Sequence, residues 1–584
     1  SIKELQDLSD EIREFIIEQV SKTGGHLSSN LGVVEMTVAL HYVFNSPYDK
    51  FIFDVGHQGY THKILTGRAK DFAKLRKKDG LGAFLKYSES EHDVWEAGHS
   101  STALSAAAGF LEAKASGVDM GEVITIVGDG SIQNGLSFEG LNYLGSQSHQ
   151  KAIIIFNDND MSISRNVGSL AKKFNKIRIR KSYFFFKKVT PNFLHRLFRS
   201  VKVAFRSFVY GDNIFSTLGF KYYGPIDGHN IAELVKYFTF AKNCKQSIIL
   251  HVKTNKGKGY PYSEYDDTGY WHGVKPFNIE TGKPISQPRN GIISWGQGIC
   301  NILVECAKKN DNFQVITPAM IEGSRLKDFQ KAFPTRLIDV GIAEEHAVVM
   351  AAAMARNNVI PIVSIYSTFM QRAYDQINHD VCRSNNHVIF LVDRAGLNGG
   401  DGSTHQGIFD ISFLSHLPNI IITMPKDLHE AYNLFKFALK YQGPVVIRYA
   451  KSKTKNISYF DEEIELGTWV EEKPINKVNI ITYGDIVNEF IEKLPDNIGL
   501  INARFIKPLD INMLQKLKNT RVMVVEEVIK NGSLGSMILK ANNDYHLNLQ
   551  IETYGVEDQY LDAGTTAELR KELQIDVESI MNKL

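Results

Sequence analysis

Two short stretches, "VGDGSIQNG" at 127–135 and "IIIFNDNDMS" at 153–162, each lead from apolar, β-branched residues into acids, amides or glycine. Read as parallel neighbouring strands, "VITIV" and "AIIIF" leave "SIQNGLSFEGLNYLG" as the crossover helix, because joining parallel strands takes about a dozen residues or more. Both polar turns then fall on one sheet edge. Asp129 and Asn159 converge there as hard oxygen donors, and a helix beginning near Ser131 aims its N-terminal amides at the same place. Such a pairing suits magnesium bridging a diphosphate. Taken singly, Asp129 reads better as a helix cap and Asn159 as an Asx turn. Two matched strand ends favour the metal.

The same alternation runs along the chain. Short apolar runs such as "SIILHVKT", "TRLIDVG", "VIPIVSI", "NHVIFLVDR", "IIITMP", "PVVIRYA", "VNIITYG" and "RVMVVEE" recur with helical segments between them. That order argues for an α/β protein with mostly parallel sheets flanked by helices. Polar, Pro- and Gly-containing residues at 275–292 and a charged, aperiodic stretch at 449–466 mark boundaries. Three domains are expected, at 1–285, 286–455 and 460–584.

A chain of 584 residues is too long for one hydrophobic core. Its 43% hydrophobic and 23% charged content is ordinary globular usage, which leaves little room for extensive disorder. The four cysteines, Cys244, Cys300, Cys306 and Cys382, have neither CxxC spacing nor framework density, and this points to a reducing, cytoplasmic setting without a zinc site. No run approaches a membrane span of about 20 apolar residues. The first residue is Ser1, which leaves an upstream targeting segment open. The net charge of +2 conceals an asymmetry: residues 171–211 carry twelve Lys or Arg and no acid, leaving about −10 on the rest once those twelve are subtracted. This basic, aromatic block reads as a mobile lid or packed helix that retains anionic ligands, with a membrane-surface helix as the weaker alternative and polynucleotide binding as a third.

The GDG turn followed by NDN resembles the thiamine diphosphate motif of the transketolase superfamily. Further stretches narrow the likeness: "GGHLSSNLG" (24–32), "DVGHQGYTHKILTGR" (54–68), "GHSST" (98–102), "GPIDGHN" (224–230), "GIAEEHAV" (341–348), "YSTFMQRAYDQ" (366–376) and "DRAGLNGGDGSTHQG" (393–407). Together they resemble the 1-deoxy-D-xylulose-5-phosphate synthases from the first residues to the C-terminal domain. The resemblance implies a thiamine diphosphate-binding fold and a magnesium site made by Asp129, Asn159 and the main-chain oxygen of Met161. It implies a cofactor lining of His57, Gly98, His99, Ser100, Gly130, Ser131 and Tyr260.

It also implies an enzyme that decarboxylates pyruvate and transfers the two-carbon unit to D-glyceraldehyde 3-phosphate, opening the methylerythritol phosphate route to isoprenoids and feeding thiamine and pyridoxal synthesis. A homodimer is implied, with no nucleic-acid partner. Activation of the cofactor needs a carboxylate on the far pyrimidine nitrogen. Glu344 takes that role by resemblance, with Glu345 as the adjacent alternative, and Phe369 with Tyr366 walls the ring. Histidines 26, 57, 99, 272 and 405 lie within two residues of Gly, Ser or Asp, apart from any apolar stripe, which suits proton relay and alkoxide stabilisation. His405 and Asp401 are implied to contact substrate hydroxyls, and His26, His57 and His272 to approach the carbonyl or diphosphate. Arg372, Arg394 and Arg448 match phosphate-contacting positions, where a planar fork binds oxygens in pairs. Transketolase and a catalytically silent thiamine-fold regulator are the rival readings.

Overall fold

The computed structural model describes residues 1–147, 150–159, 214–266, 268–286 and 290–584. Met161, read above as a metal ligand, and the basic block 171–211 lie outside them. The chain divides into two compact units, Ser1–Leu75 with Phe84–Pro284 and Arg76–Ala83 with Ile285–Leu584.

The first unit is built on five parallel strands: β1 (Lys50–Phe53), β2 (Val123–Gly128), β3 (Ile153–Asp158), β4 (Lys221–Asp227) and β5 (Ile248–Lys253), in the order β1-β2-β3-β5-β4. The apolar runs of the inner strands β2, β3 and β5 follow from burial on both faces, whereas the edge strand β4 is mostly half-exposed. Ile153 and Ile155 enter one core cluster, whereas Ile154 and Phe156 enter another, as the two-residue period of a strand requires. Helices Val34–Val43 and Ile231–Asn243 supply apolar residues to the first cluster. Ala103–Ala115 and Gly135–Ser146 supply them to the second. The expected pairing of β2 with β3 is present, with Gly128 opposite Asn157.

One local expectation changes. Ser131–Gln133 forms a 3-10 turn, and the crossover α-helix starts only at Gly135. Asn134 decides this, because its backbone is extended and its side-chain oxygen accepts from Leu136 N–H at 3.0 Å, an N-cap bond. The amides near Ser131 therefore belong to a tight turn.

The second unit carries two main sheets. Strands β7 (Phe313–Thr317), β8 (Leu337–Asp339), β9 (Ile360–Tyr366), β10 (Ile389–Asp393), β11 (Ile421–Thr423) and β12 (Val445–Arg448) run parallel, and β17 (Phe505–Lys507) pairs antiparallel with β11 to give β17-β11-β12-β10-β9-β7-β8. The other sheet, β14-β16-β15-β18-β19, uses Val470–Lys473, Gly499–Asn502, Val478–Thr482, Arg521–Ile529 and Gln550–Val556, with β14 its antiparallel member. A two-stranded ribbon joins β6 (Ile292–Ser294) to β13 (Lys453–Lys455). One core cluster runs through both sheets, from Phe313 through Ile447 to Val524. The α/β class with mostly parallel sheets is thus observed. No helix among the described residues is long and apolar enough to cross a membrane.

The cap yields a prediction. Asn134→Ala should lower unfolding stability by about 1 kcal/mol, within the range of roughly 0.5–2 for lost caps, while Asn134→Ser should be nearly neutral. Urea unfolding measures it, and no loss on Asn134→Ala would show that the helix does not start there.

Candidate active site

In the first unit Asp129 leaves β2 almost wholly buried, at 3% exposure. Its amide donates to the carbonyl of Asn157 at 3.1 Å, and its carboxylate accepts from the N–H of Gly130 at 3.1 Å and from the N–H of Asn159. The residues paired from sequence do meet. Burial, reinforced by the nearby charge of Asp158, pushes the Asp129 carboxyl well above the usual carboxylate range, while Lys256 pulls the other way. Burial lowers Lys256 itself to about 8 against the attraction of Asp129 and Asp266. Two neighbouring carboxylates on the edge of a sheet fit a cation that would relieve their repulsion. Among the described residues no group of three or more His, Cys, Asp or Glu forms a metal cluster. The donors at this turn are instead one carboxylate and one amide, a hard oxygen set suited to magnesium.

Three of the expected histidines are mutual neighbours. The ring centroids of His26, His57 and His272 lie 5.8, 5.7 and 5.2 Å apart, pair by pair. Asn30, fully buried, braces the loops of the first two: its amide donates to the carbonyls of His26 at 2.7 Å and His57 at 2.8 Å, and its oxygen accepts from Tyr60 N–H. Asn30 lies inside the "GGHLSSNLG" stretch, and nothing in its residue type or spacing marks this bracing role. Burial holds His57 well below its ordinary value, so it is neutral at pH 7, and its Nδ1 has no hydrogen-bond partner.

The Gly98 loop is tied down beside them. Gly98 N–H donates to Val55 carbonyl at 2.8 Å, and buried Asp54 accepts from the amides of Ser101 and Ala103. The Ser101 hydroxyl donates to the carbonyl of Ser131 at 3.0 Å, which links this loop to the GDG turn. Val55 at φ 64 and Ser101 at φ 77 are left-handed non-glycines, a strained backbone of the kind found at ligand sites. His99 and Ser100 lie on that same loop. Tyr260 is fixed from its own side: its hydroxyl donates to Ile279 carbonyl at 2.9 Å and its ring packs against Trp271 and Phe277.

In the second unit Glu344 opens helix Glu344–Ala355 where β8 has just ended, with 3% exposure. Burial raises its carboxyl above the ordinary range against the pull of Arg372, whose Nη1 is 3.7 Å from Oε2. That distance is no hydrogen bond, and Oε2 has no hydrogen-bond partner. Glu345 is only half-buried. Tyr366 and Phe369 stack at 5.4 Å and 8°, and the His405 ring meets Phe369 edge-on at 5.6 Å. Burial lowers His405 to about 4. A buried acid with an unfilled acceptor, and a parallel pair of aromatic rings, fit a flat heteroaromatic N–H donor.

The three arginines do not assemble. Arg372 faces Glu344. Arg394 leaves β10 with φ 60, lies 3.7 Å over the Tyr366 ring and donates to Asp393 and to Gly323 carbonyl. Arg448, expected to contact phosphate, is fully buried, and its guanidinium donates to both oxygens of Asp410 at 2.7 and 2.9 Å. Binding a phosphate there would require displacing a buried carboxylate, so Arg448 is corrected to an internal ion pair. Lys451, three residues on, has its Nζ 3.4 Å from Asp401; burial lowers its pKa against the attraction of Asp401, and Arg394 and Arg76 lower it further. Arg76 Nη2 donates to Asp401 at 2.5 Å. Arg394 lies just past β10 and Lys451 just past β12, and strand ends are where open α/β sheets gather ligands. Nothing in the sequence marks Arg76.

Comparison with known proteins gives three successive family matches. Residues 1–254 match 1-deoxy-D-xylulose-5-phosphate synthase, 292–456 the pyrimidine-binding domain of transketolase, and 467–580 the transketolase C-terminal domain. Over its full length the chain is 42% identical to proteins named 1-deoxy-D-xylulose-5-phosphate synthase from Bacillus cereus (strain G9842) and from Bacillus anthracis, covering 96% of each. A transketolase crystal structure from Campylobacter jejuni overlaps all of this chain and 99% of its own, at 18% identity and TM-score 0.42.

Two predictions follow from the buried acids and their partners. Glu344 holds its proton in the folded ligand-free protein between its unfolded value near 4.5 and its raised folded value. Stability is therefore lost as pH rises through that window. Glu344→Gln removes the loss, so its melting temperature should gain on the wild type with rising pH and level off above the window; a constant difference would refute the assignment. Asp410→Ala strands a buried guanidinium and should cost about 3–5 kcal/mol in denaturant unfolding. A cost below about 1 kcal/mol, the worth of an exposed pair, would show that Arg448 is solvated.

Proposed function

The chain belongs to the 1-deoxy-D-xylulose-5-phosphate synthase family, a transketolase-type transferase family, and on that premise we propose that it decarboxylates pyruvate and joins the two-carbon unit to D-glyceraldehyde 3-phosphate. The product is 1-deoxy-D-xylulose 5-phosphate, the entry to the methylerythritol phosphate route and a source for thiamine and pyridoxal synthesis. The observation that carries the reading is Glu344, a buried carboxyl with one oxygen lacking a hydrogen-bond partner, in the same unit as the stacked Tyr366 and Phe369.

Thiamine diphosphate, when bound, supplies the electron sink for the decarboxylation. Glu344 would accept the N–H of its pyrimidine, and Phe369 with Tyr366 would flank that ring. Asp129, Asn159 and the main-chain oxygen of Met161 would hold magnesium; His57, Gly98, His99, Ser100, Gly130, Ser131 and Tyr260 are the proposed lining, with Lys256 added because its charge is felt at Asp129. Neutral His57, beside His26 and His272, can donate to an oxyanion or relay a proton without adding charge. His405 and Asp401 would meet substrate hydroxyls. Arg394 and Lys451, cations at adjacent strand ends, would hold the acceptor phosphate, in place of Arg448; Arg372 would act on Glu344. Domains at 1–285, 286–455 and 460–584, a cytoplasmic setting and a homodimer complete the proposal.

Carbon dioxide release from pyruvate, with and without glyceraldehyde 3-phosphate, tests it. The acceptor should accelerate release, and xylulose 5-phosphate without pyruvate should give no transfer; the reverse would make the enzyme a transketolase. Arg394→Ala and Lys451→Ala should each weaken glyceraldehyde 3-phosphate by tenfold to more than a hundredfold, from roughly 1.5–3 kcal/mol per charge-assisted contact. Pyruvate and unphosphorylated glyceraldehyde should change little. An equal loss with both acceptors would remove these two residues from phosphate binding.

A further inference from the structure

The turn that carries Asn159 is gripped from behind by β5. Thr254, just past that strand, donates from its hydroxyl to the side-chain oxygen of Asn157 at 2.7 Å and from its amide to the carbonyl of Asp158 at 3.1 Å. Inside β5, His251 lies 2% exposed, its Nε2 2.8 Å from Asp158 Oδ2, while its Nδ1 bonds the hydroxyl of Tyr222 on β4. The directions follow from the groups. A carboxylate only accepts, so Nε2 carries the hydrogen; Nδ1 then accepts, and the Tyr222 hydroxyl donates. Phe156, at 5.0 Å, and the Tyr222 ring, which itself stacks on Phe215, fix the imidazole plane. Asp158 is a second acid next to Asp129, whose side chain it also hydrogen-bonds, and without a second partner it would be able to turn toward any cation held there. The histidine bond keeps one of its oxygens on the β5 side.

We propose that Tyr222 and His251 are positioning residues which, acting through Asp158, set the Asn157–Asn159 turn for cation-dependent diphosphate binding. The proposal rests on the reading of Asp129 and Asn159 as the magnesium donors. It adds a chain of three side chains, buried Asp158 and His251 and half-buried Tyr222, none of which was expected to touch cofactor or substrate. Residues behind metal donors commonly change metal affinity by about 10–100-fold when replaced, because donor orientation is lost while the fold survives.

The test is equilibrium binding of thiamine diphosphate to the full-length protein at increasing magnesium chloride, followed by tryptophan fluorescence, with the ligand-free melting temperature as the folding control. Asp129→Ala should abolish the magnesium dependence. His251→Leu should raise the magnesium concentration for half-saturation by about tenfold or more. His251→Gln, whose terminal amide keeps a donor near the Nε2 position, should recover most of that loss. Tyr222→Phe should fall between wild type and His251→Leu. A folded His251→Leu protein with wild-type magnesium dependence, beside an Asp129→Ala protein that has lost it, overturns the relay and leaves the magnesium reading standing. Equal losses for Gln and Leu reduce His251 to packing and also overturn it. Should His251→Leu fail to fold, Tyr222→Phe decides, since unchanged half-saturation there refutes the relay. Retention of magnesium dependence by Asp129→Ala would remove the donor set and the relay with it.

Discussion

The parallel register of β2 against β3, with Gly128 opposite Asn157, is the constraint on which the first unit's chemistry depends. Parallel strands deliver their C-terminal loops to one sheet edge, and loops at that edge are where open α/β sheets gather ligands. A slip of one residue would turn Ile154 and Phe156 out of their core cluster as well as separating Asp129 from Asn159. Core packing and site geometry are thus enforced by the same register. The loops that accumulate beside it, with Val55 and Ser101 in left-handed backbone, tolerate strain because Asp54 and the Ser131 carbonyl hold them in place.

Both units leave polar groups buried with incomplete partners. Glu344 Oε2 in one unit and His57 Nδ1 in the other have no hydrogen-bond partner. Leaving a buried donor or acceptor unmade costs about 1–3 kcal/mol, so such atoms persist where a ligand completes them. The fully matched groups are elsewhere. Arg448 with Asp410, and Glu526 with Tyr483, Ser533 and the amides of Leu534 and Gly535, have their partners inside the protein. Buried charge alone therefore does not mark the site, and neither does an unmatched atom alone, since Trp295 Nε1 and the Gln150 amide also lack partners; what singles out Glu344 is an unmatched carboxyl oxygen in the same unit as stacked aromatic rings.

The second unit shows how a local reading of strands meets its limit. The strong β-branched runs of β9, β10, β12, β15 and β18 are visible as periodic apolar segments. Strand β17 has three residues, and its role comes from pairing with β11, about eighty residues earlier in the chain. That pairing carries chain from beyond residue 500 into the sheet whose strand ends present Arg394 and Lys451, and one core cluster spans the result.

The sequence by itself determined the α/β class, the ten principal strands and the convergence of Asp129 with Asn159, because hydrophobic period and crossover length are local properties of the chain. It also marked Glu344 and the histidine loops, through resemblance in motif blocks spread along the chain. Tertiary structure decided the rest. Arginines 372, 394 and 448 look alike in a sequence, yet one faces Glu344, one leans on Tyr366 and one is sealed against Asp410. Lys451, Arg76, Lys256, Asn30 and His251 carried no periodic or compositional signal. The partner that makes each of them matter, Asp401, Asp129, the His57 carbonyl or Asp158, lies from 27 to more than 300 positions away. Such long-range pairings exist only once the sheets have closed, which is why folding had to supply them.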